Sequence, residues 1–155
     1  MTRLSTAQIK ALIKTTGQVL PDGFLEEGRP TETEAILELP IPPTTNHLFI
    51  TVRGRRIVSP DYTVWRTEAG KKLQGQSPAH IVGPVHLKLT IHGGKGFPVN
   101  RDLDNCFKAV LDLLVTHNVV EADDIRIVRS VYAEYLAPIN RKAEARCTVS
   151  LKSVS

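Results

Sequence analysis

V-H-L-K-L-T-I-H (85–92), G-G-K-G-F-P-V-N (93–100) and R-D-L-D-N-C-F-K-A-V-L-D-L-L (101–114) follow one another directly, and this succession decides the fold. The first eight residues alternate. Val85, Leu87, Leu89 and Ile91 point one way and His86, Lys88, Thr90 and His92 the other, which is the period of a half-buried strand. The glycine-rich middle is a loop with one positive charge. In the last stretch the period changes: Leu103, Phe107, Val110, Leu111 and Leu114 recur at helical spacing, predicting a helix that begins near residue 104. Asp104, Lys108 and Asp112 then fall on one opposite stripe, each four residues from the last.

Working outward, I-R-I-V-R-S-V-Y-A (125–133) reads as a strand. A-R-C-T-V-S-L (145–151) alternates again, with Ala145, Cys147, Val149 and Leu151 inward. Upstream, A-I-L-E-L-P (35–40) is a strand ended by the prolines of residues 40–43. L-F-I-T-V (48–52) runs into R-G-R-R-I-V (53–58), where Gly54 suggests a hairpin turn. Ser59 followed by Pro60 is a helix start, a capping hydroxyl and then proline at the first helical position. Tyr62, Trp65, Ala69 and Leu73 make its apolar stripe, and Gly70 weakens its last turn. The order β-β-α-β-α-β-β predicts an α+β domain over residues 34–155, a small mixed β-sheet with helices packed on one face. Residues 1–33 read as an appendage. They hold a short helix with Ser5 and Gln8 as a capping box and Ile9, Leu12 and Ile13 as its stripe, broken at Gly17 and followed by a loop over 21–30.

A chain of 155 residues is about one domain and buries a core without disulfides. No apolar run approaches the ~20 residues of a membrane span. The N-terminus lacks the apolar core of a signal peptide, so a cytoplasmic setting is expected. Cys106 and Cys147 have no metal-ligand spacing and are expected to be reduced thiols. Five histidines without an H-x-x-x-H or H-E-x-x-H pattern argue against zinc. The net charge is +4. Residues 53–72 concentrate Arg53, Arg55, Arg56, Arg66, Lys71 and Lys72 against Asp61 and Glu68, whereas residues 22–34 run acidic. The basic stretch suits either a phosphate-backbone contact or an ordinary solvated face.

The chemistry lies in Asp102, Asp104 and one of Asp123 or Asp124. In extended backbone, positions i and i+2 point to the same side, so Asp102 and Asp104 are expected to converge. An antiparallel strand after the helix would bring a third carboxylate beside them. Crowded carboxylates repel one another, and a divalent cation relieves that repulsion. A few hard oxygen ligands suit Mg²⁺, which keeps several waters and shares coordination with substrate phosphates. Such an ion polarises a phosphodiester and acidifies an attacking water. Lys108, one turn past Asp104, would stabilise charge on the phosphate or leaving oxygen, a contact of ~3 kcal/mol. Plain structural readings stand beside these. Asp104 or Asn105 would cap a helix. Asp104–Lys108 would be a helical ion pair of ~0.3–0.5 kcal/mol, and Asp123–Asp124 a turn.

R-D-L-D-N-C-F-K-A-V-L-D-L-L followed by V-V-E-A-D-D-I-R-I resembles the core of the RusA family of Holliday-junction resolvases. L-P-I-P-P-T-T-N-H-L-F (39–49) resembles that family's first strand and its Pro-Pro/Asn turn. The resemblance runs over about residues 35–152. It implies a homodimeric α+β nuclease that binds four-way DNA junctions and nicks opposing strands, using Mg²⁺ with Mn²⁺ able to substitute. The family's essential acids match Asp102 and Asp104, and its catalytic lysine matches Lys108. Its third acid falls on Asp123 in an ungapped match, or on Asp124, the preferred choice, when the following pattern is matched with one inserted residue. Arg126 stands where the family has glutamine. Asn46 and Asn105 are expected to shape the site. Arg53, Arg55, Arg56, Lys71, Lys72, Lys95 and Arg101 are the expected phosphate contacts. A bacterial or prophage origin is implied as well. Two other functions fit the same residues: a non-catalytic DNA-binding module on this fold, and a nuclease for flaps or forks.

Overall fold

The computed structural model describes residues 33–154. The expected helix and loop of the first 32 residues lie outside them. The elements are β1 (Glu34–Leu39), a 3-10 turn (Thr45–His47), β2 (Phe49–Val52), β3 (Arg55–Val58), α1 (Pro60–Gly75), β4 (Val85–His92), a second 3-10 turn (Asp104–Cys106), α2 (Phe107–Thr116), β5 (Val128–Leu136) and β6 (Arg146–Ser153). The main sheet has the order β1-β6-β4-β5, and β2–β3 is a separate hairpin.

The expected α+β architecture is present, with a mixed sheet. β6 is antiparallel to both β1 and β4, and β5 is parallel to β4. This corrects the antiparallel strand expected after the second helix. A parallel pair needs a long crossover, and the loop, 3-10 turn and α2 between β4 and β5 provide one. β5 begins at Val128, three residues later than its apolar pattern suggests. The carbonyl of Asp124 accepts from the N–H groups of both Ile127 and Val128, at 3.0 and 2.8 Å, so residues 124–127 form a turn. Ile125 is left 85% exposed in that turn, outside the strand alternation.

One face of the sheet carries the core. Val85, Leu87, Leu89 and Ile91 of β4 and Cys147, Val149 and Leu151 of β6 are buried with Tyr62, Trp65, Ala69 and Leu73 of α1 and Ala109, Val110, Leu113 and Leu114 of α2. His86 and Lys88, one residue out of phase, are exposed. Cys106 and Cys147 are buried free thiols, and burial pushes that of Cys147 up to about 12, so neither is poised to react. Among the described residues no helix is long and apolar enough to cross a membrane.

Local chemistry sets the two elements that flank the site. The hairpin turns at Arg53 and Gly54, both at positive φ (48° and 76°), the geometry whose twist matches the paired strands. α1 starts where expected. The Ser59 hydroxyl accepts from the Tyr62 N–H at 3.1 Å, and Pro60 occupies the first turn. The helix continues through Gly70, against which the His117 ring packs. A Cβ at Gly70 would lie 2.7 Å from His117 Nε2.

Candidate active site

The loop after β4 is anchored before it reaches Asp102. Gly94 lies against the backbone of residues 143–145, and the Lys95 N–H donates to the Ala143 carbonyl at 2.8 Å. Arg101 is half-buried. Its Nη2 donates to the Pro42 carbonyl, its guanidinium lies 5.9 Å from the Phe97 ring centre, and its Nε is buried with no hydrogen-bond partner among the described residues. The side chain named above as a phosphate contact ties this loop to the exit of β1 and lines the cleft described next.

Asp102 is exposed, and its carboxylate accepts from the Asn105 amide at 3.3 Å. Leu103 has right-handed helical dihedrals (φ −69°, ψ −36°), and residues 104–106 form a 3-10 turn. The D-x-D segment is therefore not extended, and the same-side argument for Asp102 and Asp104 does not apply to it. The helix expected from 104 begins as this tighter turn and becomes α-helical at Phe107.

Asp102 lines an open cleft of about 490 Å³. Asn46 and His47 of the first 3-10 turn, Asp61 at the start of α1, and Asn100, Arg101 and Asn105 also line it, while Asp104 does not. The 3-10 turn is bound to the aspartate element: the Thr45 hydroxyl donates to the Asn105 carbonyl at 3.1 Å. Asn46 and Asn105 thus line one cleft with Asp102. His47 and Asp61 do not stand out in the sequence, where the available signal is their place in T-N-H and in the helix start S-P-D.

The second part of the site lies one turn further along α2. Lys108 Nζ donates to Asp112 at 2.7 Å and to Asp123 at 2.9 Å. It reaches forward to Asp112, not back to Asp104. These two carboxylates, Asp112 first, hold the ammonium well above the usual lysine range. In turn Lys108 lowers the Asp123 carboxyl. Tyr62 stands behind Asp112, its hydroxyl 3.5 Å from Oδ2. Burial, and then Asp112, raise the Tyr62 phenol. Asp124 turns away: its carboxylate binds the Arg126 side chain at 2.6 and 3.0 Å and the Arg126 N–H at 2.9 Å. Arg126 is the first cause of its lowered carboxyl.

Among the described residues, no three His, Cys, Asp or Glu side chains are grouped so as to hold a metal ion. Asp61, Asp102 and Asp104 have no salt-bridge partner among those residues. Arg53, Arg55, Arg56, Lys71 and Lys95 are exposed. Lys72 is paired with Glu38 at 2.7 Å, and the Arg56 guanidinium lies over the Phe49 ring at 4.3 Å.

No curated protein matches the chain at a significant level. Residues 40–152 match the family model described as endodeoxyribonuclease RusA. That span holds the cleft, the Lys108 cluster and the whole main sheet except β1 and the last residue of β6. The chain therefore belongs to the RusA family of Holliday-junction endonucleases.

Proposed function

We propose that this endonuclease acts on four-way DNA junctions as a homodimer. Two identical sites nick opposing strands by metal-dependent hydrolysis. Asp102, Asp104 and Asp123 are the essential acids in this reading, and Lys108 is the essential cation. A two-fold dimer mirrors the two equivalent strands of the junction. Residues 34–155 form the nuclease domain and residues 1–33 an appendage to it.

The observation that carries the reading is the uncompensated charge at Asp102 and Asp104, together with a lysine bound to Asp123. Exposed carboxylates without a cation partner next to an open cleft are donors of the hard-oxygen kind. Mg²⁺ needs only one or two of them together with waters and substrate phosphate, so no closed protein cage is required. One or two of Asp102, Asp104 and Asp123 would hold Mg²⁺, or Mn²⁺ in its place, with water and substrate phosphate completing the shell. Bound there, the ion supplies polarisation of the phosphodiester and a more acidic water. The rest falls to the chain. Asn105 orients the Asp102 carboxylate, Thr45 steadies the Asn105 backbone, and Lys108 presents positive charge to the phosphate. The contact of Lys108 with Asp123, and the commitment of Asp124 to Arg126, support Asp123 over Asp124 as the third acid. Arg53, Arg55, Arg56, Lys71 and Lys95 are the proposed backbone contacts. Lys72, paired with Glu38, and Arg101, bound to the Pro42 carbonyl and lining the cleft, keep further N–H groups for the same role.

The test is a labelled four-way junction incubated with the protein and Mg²⁺. Paired nicks on opposing strands are expected, abolished by chelation and by Asp102→Asn. Junction binding without metal-dependent cutting by the wild type would instead favour a non-catalytic DNA-binding module. Faster cutting of flaps or forks than of junctions would move the substrate within branched DNA.

A further inference from the structure

The cleft holds an imidazole that has no task in the proposed hydrolysis. We propose that His47 contacts the substrate, its Nε2 donating a hydrogen bond to the phosphodiester that is cut. This inference rests on the assignment of the cleft around Asp102 as the cutting site.

His47 lines the same cleft as Asp102 and is held from three directions. Its ring Nδ1 is hydrogen-bonded to the Thr44 hydroxyl at 2.8 Å. Its carbonyl accepts from the Ser59 hydroxyl at 2.7 Å, the same hydroxyl that caps α1. Thr45, in the same 3-10 turn, is bound to the Asn105 carbonyl. The ring is thus borne on a turn fastened to the element that carries Asp102. It is exposed, and its Nε2 has no hydrogen-bond partner among the described residues. In the neutral tautomer in which the Thr44 hydroxyl donates to Nδ1, and in the imidazolium, in which Nδ1 donates to that hydroxyl, Nε2 carries a proton.

The electrostatics of the cleft call for such a donor. Asp61 and Asp102 both line it and repel a phosphate. Of the basic groups nearby, Arg101 lines the cleft but is half-buried with its Nη2 on the Pro42 carbonyl, and Lys108 is held by Asp112 and Asp123 without lining the cleft. His47 adds to this wall an exposed ring N–H that has no partner among the described residues. A fixed N–H aimed at a phosphate oxygen acts where charge develops during cutting.

The experiment is single-turnover cutting of a prebound four-way junction by the full chain, with junction affinity measured alongside. His47→Ala should slow cutting about 100-fold while weakening binding less than about threefold, because many other phosphate contacts remain. His47→Gln, whose amide nitrogen reaches about as far as Nε2, should regain at least about tenfold of that rate. An alanine variant that cuts at the wild-type rate overturns the inference, and so does a glutamine variant no faster than alanine. Asp102→Asn is run in parallel. If it still cuts, the cleft assignment fails and the His47 inference with it. If it is inert while His47→Ala cuts normally, only the His47 inference fails.

Discussion

Lys108 binds Asp123 at 2.9 Å, joining α2 to the turn that precedes β5. The same ammonium binds Asp112 at 2.7 Å on its own helix. One charge thus holds Asp123 against α2, and it distinguishes two adjacent aspartates that composition cannot separate. Asp123→Asn is expected to reduce junction cutting about 100-fold or more, the size of effect that follows removal of an essential charge. Asp124→Asn should leave cutting nearly unchanged. It should instead loosen the turn, because Asp124 accepts from the Arg126 N–H and side chain. Cutting rates and thermal melts of both variants measure this. An equal fall in cutting for the two would remove the distinction.

Asp112 is expected to matter through Lys108. It offers the lysine a second carboxylate, and the Tyr62 hydroxyl stands on its far oxygen. Lys108→Ala should cost about 100-fold in cutting with junction binding largely kept. Asp112→Asn should fall between that variant and the wild type, since the lysine keeps Asp123. The folding cost is small in either case. The Lys108 pairs are surface pairs, worth ~0.5 kcal/mol each, so melting temperatures should barely move while rates do.

The arginines divide into two groups with opposite signatures. Arg55 is exposed on the hairpin, whereas Arg101 is half-buried against Pro42 and Phe97. Arg55→Ala should weaken junction binding, lower the salt slope of log affinity by about 0.9 for each phosphate no longer neutralised, and leave the melting temperature alone. Arg101→Ala should lower the melting temperature and cutting together, because it frees the loop carrying Asp102. A fall in binding with no change in stability for Arg101→Ala would return that residue to the phosphate contacts.

Part of this architecture is legible in the sequence. Strict alternation over 85–92, the Ser59–Pro60 helix start and the D-L-D-N…K spacing identify β4, α1 and the region of the site. Other features depend on contacts distant in sequence. Leu103 is helical in a segment whose start is pinned by Arg101 to Pro42, so an i, i+2 rule for extended chain misplaces Asp104 relative to Asp102. Ile125 and Ile127 alternate like a strand, yet the Asp124 carbonyl and carboxylate bend residues 125–127 into a turn. The choice between Asp123 and Asp124 depends on that turn, which periodicity does not report. His47 and Asp61 enter the site only because the 3-10 turn and the start of α1 fold onto the cleft.

Glu38, which does not line the cleft, supplies a pH-dependent tie. On β1, it binds Lys72 of α1 at 2.7 Å and Arg146 of β6 at 2.9 Å. Lys72 first, and then Arg146 against some desolvation, hold its carboxyl below the usual range. A carboxyl lowered in the folded state contributes stability above its unfolded value, and that contribution is lost as pH falls through the folded value. All three side chains are more than a third exposed, so solvent screens the pairs, and together they contribute no more than ~1 kcal/mol. Glu38→Gln should therefore lower the melting temperature by a few degrees at about pH 7 and make progressively less difference as the wild-type carboxyl becomes protonated in acid. Thermal melts of the two proteins, run from neutral pH into the acid range at constant ionic strength, should converge toward the acid end. Parallel curves, separated by the same interval at every pH, would mean that Glu38 stabilises the β1 edge by packing and not by charge.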